Sequence, residues 1–151
     1  MKPMKLLLMR HSQAEVPAES DFSRRLTVEG RISVKQRAEY LSDNAIWVKK
    51  MLVSPYVRTK ETAVIMSAVA GQIECLFSDE ITPDVAPQEA ADALKSEFAE
   101  ISVGLAIMYQ PVISKLILYL TGDSRQMSPA NLAIIDAPII GAGCCELICV
   151  I

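Results

Sequence analysis

Apolar positions in this chain fall into short unbroken runs, separated by stretches in which they recur at helical spacing. Leu6–Met9, Met51-Leu52-Val53, Ile73–Phe77 and Val103–Met108 read as buried strands. Thr27 is placed to cap a helix reaching about Ser42, with Val34, Ala38 and Leu41 along one face. A second helix runs from about Val57 to Ala70 and stops at Gly71, a residue that tolerates positive φ. Pro87 suits the first turn of a third helix, reaching about Ala99, and Pro111 opens a fourth that ends near Gly122. Leu132–Asp136 and Glu146–Ile151 read as closing strands joined through Gly141-Ala142-Gly143.

This alternation predicts an α/β fold, a three-layer α/β/α sandwich around a mainly parallel sheet, with the closing pair of strands candidates for antiparallel pairing. The 151 residues, 51% of them hydrophobic, are enough for one domain spanning 1–151 with a real core. Runs such as Ala63–Met66 and Ile113–Leu120 fall far short of the ~20 residues that span a bilayer. The basic start Met1-Lys2-Pro3-Met4-Lys5 precedes an apolar stretch too short for a signal-peptide core, so no membrane is expected and a cytoplasmic protein is the simplest expectation. A net charge of −3 gives no broad electrostatic footprint for nucleic acid. Cys75, Cys144, Cys145 and Cys149 lack zinc-site spacing, and no histidine lies near them; they are expected to be reduced, buried small hydrophobes.

In open α/β sheets ligands bind beyond the carboxyl ends of the strands, so the residues just after each strand carry the interest. The first strand ends in Arg10-His11-Ser12, and His11 is the only histidine of the chain. The second ends in Ser54-Pro55-Tyr56-Val57-Arg58, with Arg58 in the first turn of a helix, and the fourth in Tyr109-Gln110-Pro111. Two arginines and two helix N-termini converging on one sheet edge would make an anion pocket suited to phosphate, because guanidinium groups bind its oxygens in pairs and helix starts offer free N–H donors. A neutral imidazole in such a pocket is a nucleophile aimed at phosphorus. Taken singly these signals are weak: a lone Arg-His pair after a strand is more often a surface pair than a site, and an arginine in a helix's first turn is usually solvated. Tyr56 and Lys60 are either the rim of a docking surface or plain surface. Glu80 and Asp84 either reach the pocket or lie in solvent, and solvent is the expectation.

These segments, taken in order, resemble the histidine phosphatase (phosphoglycerate-mutase-like) superfamily, and within it the short SixA-like phosphohistidine phosphatase branch. Arg10-His11 is similar to its Arg-His-Gly motif, with Ser12 in place of glycine. Arg25-Leu26-Thr27-Val28-Glu29-Gly30 resembles Pro-Leu-Thr-x-x-Gly. Ser54-Pro55-Tyr56-Val57-Arg58 with Glu61-Thr62-Ala63 resembles Ser-Pro-x-x-Arg-x-x-x-Thr-Ala, and Ile81-Thr82-Pro83-Asp84 the Leu-Thr-Pro-x segment. The resemblance covers the chain from about Lys5 to the last strand, and its length leaves little room for the cap insertion of larger members.

The resemblance implies that His11 accepts the phosphoryl group while Arg10 and Arg58 clamp its oxygens, with Ser12 and Tyr109 also against the substrate. It implies no metal and no cofactor, and a phosphorylated protein as partner. The family places a second histidine after the fourth strand, where this chain has Tyr109. A phenol donates one hydrogen bond but carries no positive charge near neutrality. Losing one such stabiliser typically costs on the order of 10²–10³ in rate. A labile phosphohistidine substrate relaxes the need for a general acid, whereas an alkyl phosphate would demand one. The readings are therefore a phosphohistidine phosphatase, a phosphate- or phosphoprotein-binding domain that has lost the chemistry, and a small-molecule phosphomonoesterase of the same fold.

Overall fold

The computed structural model describes residues 4–16, 20–70 and 73–151. The elements follow as β1 (Lys5–Arg10), α1 (Val28–Asp43), β2 (Lys50–Val53), α2 (Val57–Ala70), β3 (Glu74–Phe77), α3 (Pro87–Glu97), β4 (Val103–Met108), α4 (Val112–Thr121), β5 (Leu132–Asp136) and β6 (Glu146–Val150), with a short 3-10 turn at Asp79–Ile81. The hydrophobic pattern places each element within a few residues of its observed bounds. Gly71, expected to end α2, lies outside the described residues.

The six strands form one sheet in the order β3-β2-β4-β1-β5-β6. The first four run parallel, and β5 is antiparallel to both β1 and β6. Parallel strands covered on both faces need apolar side chains on both, which accounts for the unbroken runs in β1 and β4. Leu7, Met9, Met51, Val53, Leu105 and Ile107 point to one face, against Val34, Ala38 and Leu41 of α1 and Ala63 and Met66 of α2. Leu6, Leu8, Leu52, Ala106 and Met108 point to the other, against Leu94 of α3 and Ile113, Leu116, Ile117 and Leu120 of α4. The result is the three-layer sandwich that the alternation predicts. Among the described residues no helix is long and apolar enough to cross a membrane.

Two local features fix the start of α1 beside the end of β1. The Thr27 hydroxyl accepts the Gly30 N–H at 3.0 Å, an N-cap of the kind worth about 1 kcal/mol. Gly30 lies so close to the loop after β1 that a Cβ there would sit 2.4 Å from the Gln13 carbonyl oxygen. That backbone has little room to retreat, since the same carbonyl accepts the Thr27 N–H at 2.9 Å.

The cysteines depart from expectation in part. All four are free thiols, but only Cys145 is buried; Cys75 and Cys149 are half-buried and Cys144 is exposed. The cause is topological: Cys75 and Cys149 lie on β3 and β6, the two edges of the sheet, and Cys144 is in the turn before β6.

Candidate active site

The strand order puts β2, β4 and β1 side by side, so their carboxyl ends deliver Arg58, Tyr109 and Arg10-His11 to one place. The backbone of His11 is held on both sides: its N–H donates to Met108 at 3.0 Å, and its carbonyl accepts the Ala130 N–H at 3.2 Å. The imidazole itself is buried, only 7% exposed.

Two hydrogen bonds fix its tautomer independently. Nδ1 lies 2.6 Å from the Ser12 carbonyl, which can only accept, so Nδ1 carries the proton. Arg58 Nε, which can only donate, lies 3.2 Å from Nε2, so Nε2 presents its lone pair. Burial is the main cause that lowers the His11 pKa from 6.5 to about 4; the bond to Ser12 opposes it, and the Arg58, Arg10 and Arg24 charges add to it. His11 is thus a neutral base whose unprotonated nitrogen accepts from Arg58.

Arg58 is 4% exposed. Its guanidinium lies 4.9 Å from the centroid of the Tyr56 ring and 5.0 Å from that of Tyr109. Beyond His11, its Nη1 donates to the Asp21 carbonyl at 2.7 Å and its Nη2 to Asp21 Oδ2 at 3.3 Å. Asp21 also receives Arg24 Nη1 at 3.2 Å. Partial burial pulls the Asp21 pKa upward, but the hydrogen bonds and charges of Arg24 and Arg58 outweigh it and hold the carboxyl below its ordinary value.

Arg10 enters from the end of β1. Its Nη1 donates to the Met127 carbonyl at 2.7 Å, while its buried Nε finds no partner among the described residues. Burial, with the nearby Arg58 charge, draws its pKa below the ordinary guanidinium value. An anion between Arg10 and Arg58 would offset two like charges.

Tyr109 is 1% exposed and meets the His11 ring edge-on, with centroids 5.8 Å apart. Its hydroxyl pairs with Ser54 Oγ. Burial raises the phenol pKa despite that bond, so the group stays neutral and uncharged. Ser12 is buried, and its carbonyl orients the imidazole.

The five residues singled out from the sequence, Arg10, His11, Ser12, Arg58 and Tyr109, are therefore brought together at one end of the sheet. Glu80 and Asp84 are exposed, as expected, and neither bonds to these five among the described residues. Tyr56 is a correction: it is half-buried and packs between Phe22 and Tyr109, at 5.0 and 5.1 Å between ring centroids, whereas Lys60 is exposed. Sequence reasoning missed Asp21 and the Ser54 hydroxyl. Nothing local in the sequence pointed to Asp21, because the need for a counter-charge appears only once Arg58 is seen to be buried. Among the described residues no cluster of histidine, cysteine, aspartate and glutamate could hold a metal ion.

No family model matches the chain. It is 32% identical over 143 residues to the phosphohistidine phosphatase SixA homolog of Haemophilus influenzae, covering 86% of each chain. The chain belongs to the SixA phosphohistidine phosphatase family. SixA itself from Escherichia coli is 30% identical over 84 residues, 56% of this chain and 50% of that one. The histidine-type phosphatases of this family share the fold as well: the protein histidine phosphatase SixA complexed with tungstate superposes with a TM-score of 0.91 over 98% of this chain and 96% of that one, at 22% identity. A SixA-type structure from Nakamurella multipartitia gives 0.86 over 100% and 96%, at 20% identity. A mycobacterial glucosyl-3-phosphoglycerate phosphatase is also similar in fold, with a TM-score of 0.74 at 13% identity over 97% of this chain and 98% of that one.

Proposed function

We propose that this protein removes the phosphoryl group from a phosphohistidine carried by another protein, by way of a covalent phospho-His11 intermediate. The observation that carries this reading is the state of His11: buried, neutral, with Nδ1–H fixed on Ser12 and the Nε2 lone pair accepting from Arg58 Nε. A protonated imidazole there would have no lone pair to offer; the low pKa keeps the nucleophile available through the neutral range.

In the first step Nε2 forms a bond to phosphorus as the bond from phosphorus to the substrate imidazole breaks, and the departing imidazole nitrogen takes a proton from solvent. In the second, water attacks phosphorus, the bond to Nε2 breaks, and inorganic phosphate leaves with the water's oxygen. Arg10 and Arg58 would neutralise the equatorial oxygens in both steps. No metal or cofactor takes part in this reading. No side-chain acid is assigned, and an imidazole leaving group lessens the need for one. The reading extends to a single 151-residue domain, acting in the cytoplasm on a phosphoprotein.

One observation favours a second reading, phosphate binding without useful turnover. The Tyr109 hydroxyl is engaged with Ser54 and stays neutral, so it supplies no positive charge to the transferring group. Phosphate release from a labelled phosphohistidine protein separates the two readings. Turnover by the wild type supports the phosphatase. Release seen only after Tyr109→His supports the binding domain, and an alkyl phosphate hydrolysed in preference to phosphohistidine would displace both.

A further inference from the structure

We propose that the Asp21 carboxylate is an internal stand-in for the incoming phosphoryl group: it holds the Nη2 edge of Arg58 and must be displaced before an anion can be clamped. This rests on the reading that Arg58 and His11 face the phosphoryl group.

The two contacts from Asp21 to Arg58 differ in kind. The carbonyl contact is short, 2.7 Å to Nη1, and belongs to a fixed backbone: the next residue's carbonyl, that of Phe22, accepts the Val57 N–H at 3.0 Å at the start of α2. The carboxylate contact is longer, 3.3 Å to Nη2, and the Asp21 side chain is 59% exposed. Water reaches it, so swinging it aside costs little. It also has somewhere to go, because its other oxygen already lies 3.2 Å from Arg24 Nη1. Arg24 is anchored separately, its Nε donating to the Glu15 carbonyl at 2.9 Å.

Arg58 has no comparable freedom. Its guanidinium rests against the Tyr56 and Tyr109 rings, 4.9 and 5.0 Å from their centroids, and is held at Nε by His11 and at Nη1 by the Asp21 carbonyl. The backbone of Asp21 is therefore a positioning element and its carboxylate an exchangeable counter-ion. The arrangement sets a threshold for entry. A singly charged carboxylate is no better a ligand for Nη2 than Asp21 already is, whereas a phosphoryl group brings more charge and more oxygens to both Arg58 and Arg10.

The test is the affinity for inorganic phosphate at pH 7, by calorimetry, in the wild type, Asp21→Asn, Asp21→Ala, Arg58→Ala and the Asp21→Asn/Arg58→Ala double variant. Removing the carboxylate is expected to tighten phosphate binding roughly two- to five-fold, the range of a partly exposed ion pair. The gain should vanish in the Arg58→Ala background. Unchanged or weaker binding in both Asp21 variants would overturn the proposal. So would an equal gain with and without Arg58, which would mean general electrostatic relief. If neither the wild type nor the Asp21 variants bind phosphate, and His11 takes no phosphoryl label, the reading of the pocket fails and this inference falls with it.

Discussion

Acidification offers a direct probe of His11, because no other imidazole contributes to the signal. In the folded protein its pKa lies at about 4, against an ordinary 6.5, with burial the main cause. That difference corresponds to about 3 kcal/mol of linkage. Its sign follows from proton counts. Between the two values the unfolded chain binds a proton that the folded chain refuses, so this stability is intact above pH 6.5 and lost as pH falls toward about 4. About 2 kcal/mol of it is gone by pH 5. Carboxylates titrate in the same range, so the comparison is with His11→Asn, in which the linkage is absent and the carboxylates remain. Urea unfolding of both proteins at pH 7 and pH 5 should show the wild type losing about 2 kcal/mol more than the variant. The single imidazole resonance should titrate with a midpoint near the same low value. Equal losses in the two proteins, or a midpoint at the ordinary histidine value, would refute the picture of a buried neutral base.

Arg58→Lys keeps the charge but removes the Nε donor to His11, the planar group against the two tyrosine rings and the paired contacts to Asp21. Calorimetry should show phosphate binding weakened about 10- to 100-fold, and wild-type affinity would contradict the clamp. Arg10→Ala should lower phosphoryl turnover on the order of 10²–10³-fold in a phosphate-release assay, and an unchanged rate would exclude it from the transferring group's surroundings. Gly30→Ala is a test of sign. Alanine ordinarily stabilises a helix by about 1 kcal/mol over glycine, but here its Cβ would meet the Gln13 carbonyl at 2.4 Å. Thermal unfolding should show destabilisation of about 1–3 kcal/mol, and a rise in stability would mean that the loop after β1 yields freely.

The parts of this protein legible in its sequence are those set by short-range repeats. Unbroken apolar runs marked strands covered on both faces, and Thr27, Pro87 and Gly122 marked helix ends within a few residues. Arg10, His11, Arg58 and Tyr109 were legible because each ends or directly follows a strand or opens the next helix, and the adjacency of β1, β2 and β4 does the rest. Asp21 was not. It meets Arg58 across 37 positions of chain, from a Ser20–Ser23 turn whose local bonds do not reveal what the turn faces. Tyr56 misled for a related reason: a tyrosine after Ser54-Pro55 looks exposed until the loop carrying Phe22 folds over it. Cys144 misled because local apolar neighbours do not reveal that the turn before β6 faces solvent.

The central claim is that His11 is the phosphoryl acceptor, and one measurement addresses it without intermediates. The protein is incubated briefly with a phosphohistidine protein labelled on phosphorus, quenched, and digested. The expected result is an acid-labile label on the peptide carrying His11, absent from His11→Asn and increased when the second step is slowed. Release of phosphate with no label on His11, or with label on any other residue, would contradict it.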